Sequence, residues 1–312
     1  MRIAILGATS QIAKDLILSF AKSDAADLTL YARNASKVSN WKASVGLANR
    51  YSVQDINVFQ AAGKFDAVLN FIGIGDPAKA IEMGVDIFNV TFNYDQMVLN
   101  YLRNQPNCKY LFMSSGAAYG SNFTSPVNDQ TYSHTPLNNL KSHDWYGVAK
   151  LYAECRHRAF NDLPIIDIRI FNYFSHTQDL DARFLITDIL RSIRESTVFT
   201  TSDEVVFRDF IHPDDFFNLI KLILHSDPVN IAVDCYSAAP IEKKDLLETL
   251  RLEFNLKYEI RNLNQQINAT GTKSHYFSLN KKAEVFGYKP TLSSMDAIVR
   301  ECRILLDRDC HS

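Results

Sequence analysis

Met1-Arg2-Ile3-Ala4-Ile5-Leu6-Gly7-Ala8-Thr9-Ser10-Gln11-Ile12-Ala13 is the stretch on which the fold turns. A short apolar run breaks at a glycine, and residues 11–22 then carry apolar side chains at helical spacing. Strand, glycine turn and helix in direct succession let a backbone pass close to a pyrophosphate and aim the N–H groups of a helix start at it. Gly7 is the one glycine of a G-x-x-G-x-x-G pattern that remains, with the small residues Ser10 and Ala13 at the other two places. Gly7, Thr9, Ser10, Gln11 and Ile12 are therefore the candidates to line a dinucleotide phosphate. One basic residue before so short an apolar run reads as a first strand rather than an export signal.

Working outward, apolar runs at residues 3–6, 28–31, 67–72, 109–113 and 165–171 alternate with helical patterns at 11–22, 87–102 and 146–160. The runs are mostly continuous rather than alternating, as in parallel strands covered on both faces. Strand and helix in turn predict an α/β fold with a Rossmann-type doubly wound parallel sheet over residues 1–172. After residue 172 the rhythm changes to longer loops and helical patterns at 183–194, 214–225 and 243–254. Residues 173–312 are expected to form a smaller C-terminal α/β substrate-binding region, with segments around 205–240 returning to the first domain. The polar stretch 121–144 reads as a long loop, the kind that often lines a site.

Composition narrows the function. The chain has 312 residues, 46% of them hydrophobic and 22% charged, enough for an ordinary core. A formal net charge of −2 offers no basic field for nucleic acid, so no nucleic-acid partner is expected. The five cysteines form no C-x-x-C pair and read as reduced thiols of a cytoplasmic protein. The apolar runs have strand length, so no membrane span is expected, and no metal site either.

The end of the second strand bears on cofactor choice. A carboxylate there would bind the ribose 2′-hydroxyl of NAD. The residues are Tyr31-Ala32-Arg33-Asn34, and a guanidinium at Arg33 suits a 2′-phosphate, which favours NADP with NAD as the other possibility. Asp55, ending the next apolar segment, suits the adenine edge.

Tyr146-Gly147-Val148-Ala149-Lys150 is the most informative chemical motif. Tyrosine and lysine four apart share a helix face. A phenol near pKa 10 is a poor base at neutral pH, and an ammonium beside it together with a nicotinamide ring favours the phenolate. Tyr146 can then exchange a proton with a substrate oxygen while hydride moves at carbon. Ser114-Ser115 end a parallel strand, where ligands of such sheets bind, and Ser115 is the chosen hydroxyl for holding the substrate oxygen.

Together these residues resemble the extended short-chain dehydrogenase/reductase family, and within it the nucleotide-sugar epimerases, dehydratases and reductases. Residues 7–13 are similar to its degenerate glycine motif, and Asn70-Phe71-Ile72-Gly73 to its loop beside the cofactor. Phe71, Ile72 and Gly73 are thereby implied as cofactor neighbours, and Asn89 matches an asparagine of the next helix. Residues 113–120, M-S-S-G-A-A-Y-G, resemble the family's serine strand. Arg169-Ile170-Phe171-Asn172 resembles its R-x-F-N segment, implying that Asn172 touches the sugar nucleotide. Arg208-Asp209-Phe210-Ile211-His212-Pro213-Asp214-Asp215 is similar to its R-D-[FY]-I-H-V-x-D stretch and implies that Arg208 binds the substrate diphosphate. Residues 279–290 resemble its C-terminal signature. A second substrate arginine is missing just before it, where Lys273 is the residue that can supply the charge.

The acidic pair that dehydratases carry after the strand-end hydroxyl is replaced by Gly116 and Ala117, which ranks dehydration third. The leading expectation is NADPH-dependent reduction of a 4-keto sugar nucleotide, with Tyr146 donating the proton, Lys150 lowering its pKa and Ser115 binding the oxygen. The alternative is an NAD-dependent nucleotide-sugar 4-epimerase using the same three residues. His176 is a candidate polar contact or extra acid–base group. From another class, a catalytically silent dinucleotide sensor or scaffold would have no reason to keep phenol, amine and hydroxyl together. The resemblance also implies a homodimer through a four-helix bundle built from 87–102 and 146–160, and a setting in surface polysaccharide synthesis.

Overall fold

In the computed structural model, seven parallel strands form the central sheet: β1 (Arg2–Leu6), β2 (Asp27–Ala32), β3 (Ser52–Asp55), β4 (Ala67–Asn70), β5 (Lys109–Ser115), β6 (Ile165–Ile170) and β11 (Ile231–Cys235). Their order is β11-β6-β5-β4-β1-β2-β3. The structure describes residues 1–24, 26–61, 63–73, 80, 82–261 and 273–309.

The strands read as continuous apolar runs because both faces are covered. Ile3 and Ile5 of β1 enter a core with α1 (Gln11–Ser23) and α6 (Pro213–His225), where Leu16, Phe20, Phe216 and Ile220 are buried. Ala4 and Leu6, pointing the other way, join a core with Val98, Leu99 and Leu102 of α3 (Asp86–Asn104) and Ala153 of α4 (Ser142–Ala159). The two-residue period of a strand thus divides one segment between two cores. Helix α2 (Ala35–Ser44) links β2 to β3 and is capped by Asn34, whose side chain accepts from the Lys37 amide.

Strand β11 closes the sheet beside β6, so residues 231–235 return to the first half of the chain. The rest of the second half builds a third core, in which α5 (Leu185–Arg194), α7 (Lys243–Phe254) and α8 (Ser294–Asp309) bury Ile189, Leu250 and Ile298 around Phe174 and Phe210. Short strands form small separate sheets around it. Strand β7 (Asn172–Tyr173) pairs with β10 (Phe210–Ile211), and β9 (Phe207–Arg208) lies between β12 (Ile241–Glu242) and β14 (His275–Tyr276). Strand β8 (Val198–Thr201) pairs with β13 (Lys257–Ile260). Among the described residues, no helix is long and apolar enough to cross a membrane.

Candidate active site

The order of the sheet reverses between β1 and β4, and a crevice opens there at the carboxyl ends of the strands. Gly7 turns the chain at φ +78°, and its amide and that of Ala8 donate to the Tyr31 carbonyl at 3.0 and 3.2 Å. A Cβ on Gly7 would stand 3.0 Å from the Ile72 nitrogen and the Phe71 carbonyl carbon, so the loop after β4 packs directly on the turn. Glycine is needed here for both conformation and space. Ser10 precedes α1 in an extended conformation with no side-chain cap bond, which leaves the first-turn N–H groups pointing outward. Ala13 is buried in the core, where a larger residue would hold α1 off the sheet. Gln11 donates to the Ser175 hydroxyl at 2.9 Å, tying the helix start to the second half of the chain. This cradle fits a dinucleotide diphosphate.

Beyond β2, Arg33 lines a cleft of about 810 Å³ with Glu82, Asp86, Asn89, Asn93 and Tyr94. Among the described residues, one guanidinium therefore shares the cleft with two carboxylates. Asp55 is half-buried and its carboxylate accepts from the Asn57 amide at 2.8 Å, ordering the turn after β3.

Across the crevice, β5 and α4 bring Ser115, Tyr146 and Lys150 together. The two serines diverge: Ser114 donates to Glu154, whereas the Ser115 hydroxyl lies beside Tyr146. Lys150 is buried, donates to the Met113 carbonyl at 2.7 Å and stands 5.8 Å from the centre of the Tyr146 ring. Gly73 adjoins it, since a Cβ there would be 3.4 Å from Nζ. Burial pushes the lysine down to about 8, against the pull of Asp95, Glu154 and Asp167. Burial also pushes the Tyr146 phenol upward, opposed by Ser115. Burial of both groups thus opposes the phenolate that Lys150 and a nicotinamide ring are together expected to favour. In so dry a site the lysine's own charge is disfavoured, and its hydrogen bond goes to a carbonyl.

Arg208 and Lys273 converge on the same crevice from β9 and the segment before β14. The Arg208 guanidinium donates to the carbonyls of Phe207 and Lys273, at 2.8 and 2.6 Å. The Lys273 ammonium lies 4.6 Å over the Tyr276 ring. Among the described residues no carboxylate pairs with either cation; Asp209 instead serves Ser237 and Ser294. Desolvation lowers Arg208 to about 10 and Lys273 to about 8, and the arginine further opposes charge on the lysine. Two half-buried cations in contact with no described carboxylate, Asp144 reaching Lys273 only through a shared pocket, make a receptor for an anion. Asn172 donates to the Asp209 carbonyl at 3.1 Å beside them. His176 is held through Nδ1 by Glu301 at 2.7 Å, and Glu301 also accepts from His212 at 2.9 Å.

Several further residues surround the site. Tyr276 places its hydroxyl 3.3 Å from Ser115 Oγ. Behind Lys150, Glu154 takes Arg169 in a two-pronged pair, and Arg169 also reaches Tyr119. One turn further, His157 sits between Asp167 and Asp95 at 2.6 and 2.7 Å. Continuing the Tyr146–Lys150 face by helical spacing leads to Glu154 and His157, a signal present in the sequence; Tyr276 offers none.

Comparison with known proteins agrees with this architecture. The solved structure of UDP-glucuronic acid 4-epimerase from Bacillus cereus, in complex with UDP-glucuronic acid and NAD, superposes with a TM-score of 0.78 at 18% identity, covering 99% of this chain and 100% of that one. UDP-glucose 4-epimerase from Bifidobacterium longum, with NAD+ and UDP, gives 0.79 at 15% identity, with 99% of each chain covered. The dTDP-glucose 4,6-dehydratase from Bacillus anthracis, with NAD, gives 0.76 at 14%, covering 99% and 97%. No curated protein matches the chain by sequence. The sequence pattern of the NAD dependent epimerase/dehydratase family matches residues 3–233, and the chain belongs to that family.

Proposed function

We propose that the protein is a 4-epimerase of nucleotide-activated hexoses, UDP-linked in the first instance, that works with retained NAD. The observation that carries this reading is the placement of Ser115, Tyr146 and Lys150 across one crevice from the unpaired cations Arg208 and Lys273. It reorders the sequence expectation, in which NADPH-dependent reduction led. The fold relatives named above include two 4-epimerases solved with NAD.

Arg208 and Lys273 hold the diphosphate, with Asn172 beside it, and so set the depth of the sugar. Ser115 binds the C4 oxygen and Tyr146 removes its proton. Gly73 and Lys150 would hold a nicotinamide ring, which would supply the acceptor and later the donor of the C4 hydride. Lys150 anchors the ribose side of the pocket. Tyr146 then returns the proton to the oxygen. Inversion requires the sugar to present its other face in between, which anchoring at the diphosphate end alone permits. His176, fixed by Glu301, forms part of the polar wall.

Gly116 argues against dehydration. A Cβ there would stand 2.5 Å from the Phe171 ring, so the acid that dehydration requires at this place has no room. The Arg33 cleft favours NAD, because a 2′-phosphate would have to enter beside Glu82 and Asp86. The absence of a carboxylate at the end of β2 is the observation that favours the second reading, NADPH-dependent reduction of a 4-keto sugar. A second copy of the chain is proposed to pack on α3 and α4, where Phe92 and Tyr152 stack at 6.3 Å, both exposed, with Arg156 over Phe92.

The test is to incubate the protein and NAD with UDP-glucose, UDP-glucuronic acid and UDP-N-acetylglucosamine and to follow the products by proton NMR. A C4 epimer formed without net NADH is expected. Stoichiometric NADPH consumption with a 4-keto sugar would move the assignment to the reductase.

A further inference from the structure

Ser115 and Tyr276 lie 161 residues apart in sequence, yet their hydroxyl oxygens are 3.3 Å apart in the buried floor of the crevice. A serine hydroxyl has one hydrogen and two lone pairs. The Ala117 amide donates to Ser115 Oγ at 3.2 Å and occupies one of them. The geometry points to Tyr276 as the positioning residue for Ser115: its hydroxyl donates to the second lone pair, so that the serine hydrogen faces Tyr146 and the substrate oxygen. This rests on the proposed role of Ser115 and assigns a function to a tyrosine that no sequence motif marks.

The Tyr276 ring is itself fixed. It meets Phe123 edge-on at 4.7 Å and Phe171 at 5.1 Å, and the Lys273 ammonium lies 4.6 Å from its centre. A ring held on three sides keeps its hydroxyl in one place. Burial raises the phenol far above its usual range, so it keeps the proton it needs to donate at any working pH. Tyr276 also sits opposite Arg208 in the β14–β9 pair. The strand pair that carries Arg208, with Lys273 just before β14, therefore also orients the serine, and the diphosphate and C4-oxygen subsites share one support.

A double-mutant cycle tests this with the UDP-hexose the protein interconverts. Tyr276→Phe keeps the ring and removes the donor. It should lower kcat about tenfold, the scale of one lost hydrogen bond in the transition state, and leave KM, NAD affinity and the melting temperature near wild type. In a Ser115→Ala background the same change should have no further effect. An equal loss in both backgrounds, or a change confined to KM, would overturn the inference. Full turnover by Ser115→Ala alone would instead overturn the role of Ser115, and this inference with it. A readout independent of substrate is the hydroxyl proton of Tyr276 in protein labelled with 13Cζ-tyrosine. It should exchange slowly and shift in Ser115→Ala; a resonance that Ser115→Ala leaves unmoved contradicts the contact.

Discussion

Replacing His157 with glutamine should make the protein's stability depend on pH in a new way. His157 is fully buried on α4, with Nδ1 2.6 Å from Asp167 and Nε2 2.7 Å from Asp95. Arg156 and Arg158 pair with the outer oxygens of the same two carboxylates. Burial alone would lower the histidine, but the aspartates outweigh it and raise it to about 9 from an ordinary 6.5. The folded value exceeds the unfolded one, so the stabilisation is fully present below about pH 6.5 and is lost as pH rises through about 9. At about 1.4 kcal/mol for each tenfold in proton affinity, the span corresponds to about 3 kcal/mol. With an unfolding entropy of about 2.1 cal/mol/K per residue over the chain, that is about 5 °C in melting temperature. Thermal melts from pH 6 to 9.5 should therefore show His157→Gln about 5 °C below wild type at the acid end, with the gap closing towards pH 9.5. A gap that stays constant across the range would refute the imidazolium and leave a neutral histidine shared between the two acids.

Arg208→Ala should weaken UDP binding about 30- to 100-fold by calorimetry while leaving NAD affinity unchanged, because one charge-assisted contact to an anion is lost; equal affinity would remove the anion site. Glu82→Gln with Asp86→Asn should improve NADP binding relative to NAD in the Arg33 cleft, read by thermal shift, and no change in that ratio would show the cleft to be irrelevant to cofactor choice. Gly116→Asp should destabilise by about 2 kcal/mol or more through overpacking, and Phe171→Ala should restore part of the loss, measured by urea unfolding. Phe92→Asp with Tyr152→Asp should give a monomer in sedimentation at an unchanged fold, and an unaltered oligomeric state would place the subunit contact elsewhere.

What could be read from the sequence was whatever local pattern encodes. The Gly7 turn, the continuous strands and the Tyr146–Lys150 spacing depend on neighbours within a few residues, and they appear where the pattern places them. The serine choice rested on strand-end logic; β5 turns Ser114 towards Glu154 and leaves Ser115 beside Tyr146. The burial that opposes Tyr146 ionisation was not legible, because proximity of a lysine is local, whereas desolvation is a property of the whole fold. Tyr276 was invisible for a related reason: its contact with Ser115 exists only because β14 pairs with β9 on the far side of the crevice. Arg33 shows the converse, since its motif is plain but Glu82 and Asp86 come to it through the fold.

The most direct measurement follows the hydrogen on C4 itself. UDP-glucose carrying deuterium at C4 would be incubated with the NAD-loaded protein in ordinary water, and the product examined by NMR and mass spectrometry. Removal and return of hydride at one carbon, with Tyr146 handling only the oxygen's proton, predicts a C4 epimer that retains its deuterium and no product from Tyr146→Phe. An epimer that has exchanged its deuterium for solvent hydrogen would contradict this mechanism.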